Sequence, residues 1–355
     1  IRQWVSKPLL TIETIEQRQN NIAVFFENSL LRAEFRSELQ HIGDLERLTN
    51  RVVSNSAQPR DLTGIRSILQ SLPQVLGTLN EESSRLKPIL ANLDLCHRVL
   101  ELLKDAIAED PPATLQNTGI IRSGYSEELD NVIEMSSHAR EWISNLEAVE
   151  RDRTGIRTLK VGYNKVFGYY LEITHSNTGQ VPPEYIRKQT LVNAERYITP
   201  EMKEYESLVL NAEERIREIE NRLFKEICQA ILPHVDQMLT TSRLLGELDV
   251  FAGLAEGAAI QSYVRPTLVE EPVLQIIDGR HPVVETSLKG ERFVPNDVVL
   301  EEGELIRVIT GPNMSGKSTF LRQVALIVLM AQIGAYVPAK SARIGIVDRI
   351  FTRIG

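Results

Sequence analysis

The sequence predicts a multidomain, mainly α-helical protein in which long helices flank a small β-rich module and an α/β domain begins near the end of the chain. Three observations predict this fold class. Residues 1–150 place apolar residues at helical spacing, with few β-branched runs and sparse Pro and Gly. Residues 159–173 alternate in twos, which is typical of strands. Residues 305–330 combine a strand-like run, a glycine-containing loop and an apolar helical pattern, the opening of many α/β domains.

The composition excludes several classes of protein. With 355 residues, of which 42% are hydrophobic and 25% charged, the chain is long enough for two or three globular domains. Cys96 and Cys228 are far apart in sequence, so we expect neither a disulfide framework nor a zinc site, and we expect a reducing cytosol. The longest apolar run, residues 324–337, is interrupted by Gln332 and Gly334 and is too short for a membrane span, so it predicts a buried helix.

The charge is unevenly distributed along the chain. The formal net charge of the whole chain is −8, which by itself argues weakly against a nucleic-acid partner. Residues 151–203 contain nine Lys and Arg and five Asp and Glu, a net charge of +4, so the other residues together have −12. The sequence therefore contains one basic segment within an acidic protein, and we call residues 151–203 the β module.

Helix starts are predicted at three places by their capping residues. Asp61 is predicted as the N-cap of one helix, and a second helix is predicted to start near Ser126. A third should start at Thr199, a good N-cap that is followed by Pro200 and Glu201. About 30 residues of helix would span roughly 45 Å. In the two long helices, apolar or small residues recur at steps of three and four: Leu129, Val132, Ser136, Ala139, Ile143 and Leu146, then Met202, Tyr205, Val209, Ala212, Ile216, Ile219 and Leu223.

Strands are predicted inside the β module. Residues 159–173 indicate a hairpin that turns near Asn164-Lys165, and RKQTLVNAERYIT indicates one further strand. Tyr163, Tyr169 and Tyr170 are predicted as core residues of this module rather than stacking platforms. Two long helices on either side of it suggest antiparallel arms with the module at their tips. The alternative is a helical bundle with a hairpin insertion, in which both apolar stripes are simply core.

The last third of the chain is predicted to start an α/β domain. PVLQIIDGRHPVVE, GELIRVITG and ARIGIVDRIFTRIG are strand-like, and LIRVIT (residues 305–310) is predicted as a buried strand. Residues 311–318, GPNMSGKS, fit the phosphate-loop pattern G-x-x-x-x-G-K-[ST]. In such a loop the backbone N–H groups and the helix N-terminus bind phosphate oxygens, Lys317 reaches the β- and γ-phosphates, and the Ser318 hydroxyl ligates Mg²⁺.

Hydrolysis of a bound nucleotide needs more than this loop. A carboxylate at the end of a later strand must hold Mg²⁺, and a further group must orient water. Asp348 is the only acidic residue after Ser318, and Arg349 rather than Glu follows it. We therefore expect no sustained hydrolysis by this chain alone.

Several long stretches of the sequence are typical of one known family. GPNMSGKSTFLRQVALIVLMAQIGAYVPA, followed by DRIFTRIG, resembles the ATPase domain of the MutS family of DNA mismatch-repair ATPases, and GRHPVVE and FVPND are similar to the segment before that domain. LKVGYNKVFGYYLEI and RKQTLVNAERYITPEMKEYE look like the family's DNA clamp, and IGDLERLTNRV with PRDLTGIRSIL looks like its helical core. The resemblance covers essentially the whole chain.

The resemblance implies a four-part organisation. Residues 1–150 would be the first part of a helical core and lever, 151–203 a β-rich clamp, 204–262 the helical return, and 263–355 the incomplete start of an ABC-type P-loop ATPase domain. In this family a mismatch-reading domain and a connector precede the core. An Asp-Glu motif, a signature segment and a dimerising helix-turn-helix follow the phosphate loop. The chain, which begins with Ile, is therefore expected to be the central part of a longer protein.

The resemblance also implies site residues. Phe293 matches the family's adenine-stacking aromatic residue, with a core phenylalanine as the alternative. His281 precedes Pro282 in a turn and is expected to be structural rather than catalytic. The residues expected to hold the ATP phosphates are Gly311, Pro312, Asn313, Met314, Ser315, Gly316, Lys317, Ser318 and Thr319. The residues expected to contact the DNA backbone, without reading bases, are Lys160, Arg187, Lys188, Asn193 and Arg196, with a solvated surface position as the alternative for each.

Ligands and partners follow from the same resemblance. ATP or ADP, Mg²⁺ and double-stranded DNA are expected to bind. A homodimer of the full-length protein, a MutL-type repair partner and a location in the bacterial cytosol or nucleoid are implied, with no membrane. Two alternatives remain open: a non-hydrolysing scaffold that binds the DNA backbone, and another long-armed DNA-repair ATPase of the ABC class. The basic β module and the lack of a Cys-x-x-Cys hook argue against the second.

Overall fold

The computed structural model describes residues 1–79, 84–164, 168–288, 292–300, 303–304, 306–312 and 315–352. Its contacts divide the chain into two compact units. Unit 1 comprises Ile1–Glu46, Ile68–Leu95 and Asp236–Gly355, and unit 2 comprises Arg47–Ser67 and Cys96–Val235. The four-part division expected from the sequence stays a prediction.

The described chain is mainly helical, as predicted. The helices are, in chain order, α1 (Arg2–Ser6), α2 (Ile12–Glu27), α3 (Ser29–Leu39), α4 (Leu45–Val53), α5 (Pro59–Gly77), α6 (Lys87–Leu90), α7 (His97–Ala106), α8 (Glu127–Thr154), α9 (Pro200–Ile231), α10 (Val235–Gln261), α11 (Pro282–Ser287) and α12 (Lys317–Gln332). The strands are β1 (Lys160–Asn164), β2 (Gly168–Thr174), β3 (Ile186–Thr190), β4 (Ala194–Ile198), β5 (Thr267–Val269), β6 (Leu274–Gly279), β7 (Asn296–Leu300) and β8 (Ser341–Gly345). No helix among the described residues is both long and apolar enough to cross a membrane.

The two long helices of unit 2 begin where their caps predict. The Ser126 hydroxyl accepts a hydrogen bond from the backbone N–H of Leu129 at 3.4 Å, and α8 starts at the next residue. The Thr199 hydroxyl accepts one from the N–H of Met202 at 3.0 Å, with Pro200 in the first helical position of α9. Each cap satisfies one of the N–H groups that a helix start leaves without an internal partner.

α8 and α9 pack against each other in opposite directions. Arg140 pairs with Glu213 at 2.6 Å, and Trp142 stacks on Tyr205 with ring centroids 4.0 Å apart. Later residues of α8 thus meet earlier residues of α9, which defines an antiparallel pair. Most of the predicted stripes are buried between them and under the β module: Leu129, Ser136, Ala139, Ile143 and Leu146 in α8, and Met202, Val209, Ile216, Ile219 and Leu223 in α9.

The β module forms a four-stranded antiparallel sheet in the order β1-β2-β4-β3. One face is apolar, because Leu171, Ile173 and Tyr197 pack against Leu146 and Met202 at the ends of the long helices. Strand residues point to alternate faces, so the register places Lys160, Glu172 and Arg196 together on the opposite, polar face. The sheet therefore presents one polar surface and buries the other.

Gly168, the first residue of β2, lies in close contact with α9. Its φ of +75° lies in the left-handed region, and a Cβ atom there would lie 1.5 Å from Oε1 of the buried Glu206. The same Oε1 accepts a hydrogen bond from the N–H of Tyr169 at 3.1 Å, and the carboxylate also pairs with Lys203. Only glycine combines this backbone conformation with this close approach.

Unit 1 has a helical core and a mixed sheet. In the core, the rings of Phe25 and Phe35 lie 5.2 Å apart, and Trp4 packs on Phe251 at 5.5 Å. The Arg18 guanidinium lies 3.8 Å from the centre of the Trp4 ring, on its face.

The mixed sheet of unit 1 has the order β5-β8-β6-β7, with only the β5–β8 pair parallel. The buried stripe Ile327, Val328 and Ala331 of α12 packs with Ile276 and Ile344 of the sheet. The apolar run 324–337 is thus largely a buried helix, as predicted.

The C-terminal end of α12 is held by side-chain hydrogen bonds. The buried Gln332 amide donates to the carbonyl oxygens of Leu9 at 3.0 Å and Val347 at 2.9 Å, and it accepts from the N–H of Val347 at 3.1 Å. Arg18 donates to the carbonyl oxygen of Ile333 at 3.1 Å. Gly334 then leaves the helix with a φ of +87°, as glycine does after many helix ends.

The prediction for Asp61 was wrong. α5 begins at Pro59, two residues earlier, and Asp61 lies inside its first turn. From there its carboxylate accepts a hydrogen bond from the N–H of Gln58 at 2.7 Å and pairs with Arg51 at 2.9 Å. An acidic residue in the first turn that bonds back to the cap position is one half of a capping box. Asp61 thus stabilises the start of the predicted helix, but from inside its first turn and not from the N-cap position.

Two strand predictions were also wrong in detail. RKQTLVNAERYIT contains two strands, β3 and β4, because the Leu191 N–H donates to the carbonyl oxygen of Ala194 at 2.8 Å and closes a turn between them. The end of PVLQIIDGRHPVVE forms α11 instead of continuing as a strand. The predicted turn at Asn164-Lys165 falls partly outside the described residues, since the description stops at Asn164.

The buried strand predicted at residues 305–310 is not observed. Leu305 lies outside the described residues, and residues 306–310 are irregular. Ile306 and Val308 are 82% and 80% exposed. A strand exists only where a neighbour supplies hydrogen bonds, and no described residue pairs with this segment.

Candidate nucleotide and nucleic-acid sites

The phosphate-loop sequence lies at the start of α12. Gly316 occupies the N-cap position with a φ of +91°, a left-handed conformation, and Lys317 begins the helix. No side chain of a described residue caps this first turn. The N–H groups at the start of this 16-residue helix, with the positive end of its dipole, therefore fit an anion.

Lys317 lies folded over its own loop. Its ammonium group donates to the carbonyl oxygens of Gly311 and Pro312, the second at 2.6 Å. The Ser315 hydroxyl donates to the Pro312 carbonyl oxygen at 2.9 Å. Asn313 and Met314 lie outside the described residues. The Lys317 ammonium is thus held by neutral carbonyl oxygens. Phosphate oxygens are stronger acceptors for this ammonium, because they are charged.

The remaining loop residues fit a magnesium nucleotide. Ser318 is exposed and lines a cavity of about 540 Å³ whose wall is mainly apolar, and Thr319 is half-buried. A hydroxyl at this position is the ligand type that Mg²⁺ prefers. An uncapped helix start, one ammonium group and one exposed hydroxyl together match the chemistry of a phosphate chain with its metal.

Phe293 and His281 lie in the segments that precede this loop. Phe293 is half-buried and comes just before β7, and its stacking role stays a prediction. His281 is buried, and its Nδ1 accepts hydrogen bonds from the N–H groups of Val283 and Val284 at 3.3 Å. Burial lowers the pKa of His281, which favours the neutral ring that this capping requires. The geometry agrees with the structural role expected for this histidine.

The predicted DNA-contact residues of the β module fall into two groups. Arg187 pairs with Glu195 at 3.3 Å, and Arg196 pairs with Glu172 at 3.0 Å. Within the described part of the chain, no ion pair involves the other three residues, which are all exposed: Lys160, Lys188 and Asn193. The lysines are therefore the more available charges.

Arg196 is held in place by its neighbours on the polar face. Its guanidinium lies 4.1 Å from the centre of the Tyr170 ring and also donates to the Gln189 side chain at 3.1 Å. The Tyr170 ring covers Gly162, where a Cβ atom would lie 2.6 Å from the ring. Tyr170 is thus a support for Arg196, so the prediction that it belongs to the core was wrong.

The other two tyrosines differ from each other. Tyr169 packs with the apolar cluster beneath the sheet, as predicted, whereas Tyr163 contacts the Tyr169 ring but keeps 54% of its surface exposed. The core prediction was therefore wrong for Tyr163, because this residue lies in β1, at one edge of the sheet, where the described residues supply no further strand to cover it.

Carboxylates neutralise much of the basic β module, which the sequence did not indicate. Arg153 pairs with Glu150 at 2.8 Å and with Glu184 at 2.7 Å. The Tyr197 hydroxyl first, and Arg187 second, hold the pKa of Glu195 below its usual range, so this carboxylate is ionised at neutral pH. The contact between Arg187 and Glu195 depends on the pairing of β3 with β4 and could not be inferred from charge counts.

Arg157 is a candidate contact that the sequence reasoning missed. It is exposed, precedes β1 by three residues, and has no ion pair with any described residue. The signal that could have found it was the lack of a carboxylate among its sequence neighbours. Arg157, Lys160 and Lys188 are thus the unpaired cations of the β module within the described residues.

Comparison with known proteins identifies the family. Residues 1–255 match the family model described as MutS domain III, and residues 307–355 match that of MutS domain V. Proteins named DNA mismatch repair protein MutS from Acetivibrio thermocellus and Alkaliphilus oremlandii are each 47% identical to this chain, covering 100% of it and 41% of the relative. The same-named protein of Salinibacter ruber is 46% identical, covering 100% of the chain and 39% of the relative. The chain thus spans about two fifths of the length of these relatives. Because the domain III model alone matches more than half of the chain, the chain belongs to the MutS family.

Proposed function

We propose that this chain is the core, clamp and first ATPase part of a DNA mismatch-repair protein that binds duplex DNA under the control of ATP. The observation that supports this best is the combination, in one chain, of a phosphate loop at the uncapped start of α12 and a basic β module joined to two long helices. The relatives' names include DNA mismatch repair. Family membership sets aside the alternative of another long-armed ATPase.

The nucleotide is proposed to bind with its phosphates at residues 311–319. The Lys317 ammonium would leave the carbonyl oxygens of Gly311 and Pro312 and bind phosphate oxygens, while the first N–H groups of α12 donate to the same phosphates. Ser318 would hold Mg²⁺, which neutralises the phosphate charge when bound. Phe293 would stack on the base. The exchange of partners at Lys317 is the step that distinguishes the free loop from the bound one.

DNA is proposed to bind the β module through its backbone only. Lys160, Lys188 and Arg157 offer unpaired charge among the described residues, and Asn193 offers an amide. Arg187 and Arg196 would contribute less, since each already has a carboxylate partner. Such contacts position the duplex without reading its sequence, and their affinity falls as salt rises.

The nucleotide proposal is tested with Lys317→Ala. Loss of a charged hydrogen-bond donor to phosphate should weaken ATP binding by about 10- to 100-fold, measured by calorimetry. Lys340→Ala is the matched control, because Lys340 is an exposed lysine of the same unit outside the loop. An ATP affinity that Lys317→Ala leaves unchanged would count against the assignment.

The DNA proposal is tested by charge reversal at Lys188. Lys188→Glu should weaken binding of any duplex sequence and flatten the dependence of log Kd on log salt by about one unit or more. Lys225→Glu is the control, because this exposed lysine lies on α9 outside the β module. Binding that ignores salt, or responds equally to both variants, would remove the β module from the interface.

A second candidate function is binding without turnover. Asp348, the only acidic residue after Ser318, is largely exposed and lies 3.6 Å from Arg349, so it offers no preformed metal carboxylate. We expect the chain alone to bind ATP without sustained phosphate release. Phosphate release that depends on Lys317 would show otherwise.

Assembly and location follow from family membership as proposals. A homodimer of the full-length protein, a MutL-type partner and a cytoplasmic location are consistent with the relatives' repair function. Sedimentation of the full-length protein with and without such a partner would test the first two.

A further inference from the structure

Helix α12 contains two buried glutamines with opposite environments. Gln332 is 2% exposed and makes three hydrogen bonds with Leu9 and Val347. Gln323, nine residues earlier, is 0% exposed, and neither its Oε1 nor its Nε2 has a hydrogen-bond partner among the described residues. Burying an amide without a partner costs its full desolvation energy, so such a group in a native helix calls for an explanation.

The surroundings of Gln323 suggest which partner it lacks. At Gly279 a Cβ atom would lie 2.8 Å from the Gln323 Nε2 and 3.1 Å from the carbonyl oxygen of Asn296. The amide donor and this backbone acceptor therefore both lie close to the position that a Cβ atom would occupy at Gly279, which only the lack of a side chain there permits. A small movement of α12 would bring them into hydrogen-bonding distance.

The sheet is irregular at this point. Gly279 pairs with Asn296 in the β6–β7 ladder, and the register shifts between Ile276 and Gly279. Asp278, between them, has a φ of +51°, which is unusual for a residue with a side chain. β-Bulges and strained residues are concentrated next to active sites, ligand clamps and switch regions.

The position of Gln323 in the chain connects the two parts of the proposed nucleotide site. It lies six residues, less than two helical turns, after Lys317 in the same helix. Its potential acceptor, Asn296, lies three residues after Phe293 and begins β7. A hydrogen bond between them would join the helix that holds the phosphates to the strand that follows the base-stacking residue.

We propose that Gln323 is a positioning residue for nucleotide: when nucleotide binds the loop, α12 shifts and the Gln323 amide donates to the Asn296 carbonyl oxygen. This inference rests on the proposed nucleotide binding. The hydrogen bond forms only in the bound state, so its free energy adds to nucleotide affinity. It also fixes the start of β7, and with it the segment that contains Phe293. In the free protein the donor of this bond, the Gln323 amide, is therefore already buried but has no acceptor among the described residues.

The test compares Gln323→Met with Gln332→Met. Methionine keeps the length of the side chain but removes both polar groups. We expect Gln323→Met to unfold at the same temperature as the wild type or higher without nucleotide, because no bond is lost. Its affinity for ATP should nevertheless fall by about fivefold. Gln332→Met should lower the unfolding temperature, since three bonds are lost, and leave the ATP affinity of the folded protein unchanged.

Each outcome decides between the proposals. Wild-type ATP affinity in Gln323→Met overturns the role of Gln323 and leaves the nucleotide site intact. A fall in unfolding temperature equal to that of Gln332→Met also overturns it, because the amide would then have a partner in the free protein. A wild-type chain that does not bind ATP, or binds it regardless of Lys317, removes the nucleotide site and this inference together.

Discussion

The β module and the phosphate-loop segment (residues 311–319) are both candidate binding sites, and they satisfy their polar groups in different ways. In the β module most arginines are paired with carboxylates of the same unit: Arg151 with Glu147, Arg153 with Glu150 and Glu184, Arg187 with Glu195, and Arg196 with Glu172. In the loop segment, Lys317 is held only by neutral carbonyl oxygens, and the helix start is uncapped among described residues. The net charge of +4 already counts Glu172, Glu184 and Glu195, and the pairs with Glu147 and Glu150, which lie outside the β module, lower the charge that the module offers further. The loop, in contrast, keeps its cation available for exchange.

The largest expected effect is on the fold of the β module itself. Gly168→Ala should destabilise the protein by about 3 kcal/mol, because alanine resists the left-handed backbone and its Cβ would collide with the buried Glu206. Urea unfolding measures the change. Gly179→Ala is the matched control, since no atom lies within 4 Å of its Cβ position, and it should change stability by less than about 0.5 kcal/mol. Equal effects of the two changes would contradict the contact with Glu206.

The next effect concerns the arginines of the β module that are paired with carboxylates. Glu195→Gln should release Arg187, strengthen DNA binding by about threefold, and steepen the salt dependence by about one unit. Glu213→Gln, which releases Arg140 on the long helices, is the control and should leave DNA affinity unchanged. If Glu195→Gln does not alter the affinity, Arg187 is not a DNA contact.

A smaller effect concerns pH. Because burial lowers the pKa of His281 in the folded protein, its contribution to stability is complete above the unfolded value near 6.5 and is lost as pH falls through that value toward the folded pKa. His281→Asn keeps an acceptor for the start of α11 but cannot titrate. The free energy of unfolding of the wild type should thus fall, relative to the variant, between pH 7 and pH 5. Parallel pH profiles would exclude His281 as the titrating group.

The smallest effect is expected in the segment before the loop. Val308 is 80% exposed, so Val308→Asp should change the free energy of unfolding by less than about 0.5 kcal/mol. Val298→Asp in β7, where the valine is 4% exposed, should cost about 3 kcal/mol or more. A large loss of unfolding free energy in Val308→Asp would instead support the buried strand that the sequence predicts at this position.

Features set by neighbouring residues were predictable from the sequence. The starts of α8 and α9 follow from Ser126 and Thr199, and their buried stripes follow from steps of three and four. The extra turn between β3 and β4 was missed, because LVN contains neither Gly nor Pro to mark it. The prediction of a strand at residues 305–310 was wrong for a different reason. The apolar residues of this segment fit a strand, but a strand also requires a neighbouring strand to pair with, and the local sequence pattern does not show whether one is present.

The elements that contain the candidate sites were predictable from the sequence, but the contacts within these sites were not. The spacing of Gly311, Gly316 and Lys317 predicted the loop and the helix that follows it. The pairing of Arg196 with Glu172 depends on the register of β2 and β4, which the sequence does not determine. The contrast between Gln323 and Gln332 could not be foreseen either, since both lie in the same apolar run and differ only in what the fold brings beside them.

The two tryptophans of the chain give each unit its own optical signal. Trp4, under the Arg18 guanidinium and beside Phe251, belongs to unit 1, and Trp142, stacked on Tyr205, belongs to unit 2. With Trp142→Phe the tryptophan fluorescence of the chain comes from unit 1 alone, and with Trp4→Phe from unit 2 alone, because there is no third tryptophan. Coincident denaturation curves from the two variants would mean that the units melt as one cooperative block, and separated curves would give each unit its own midpoint.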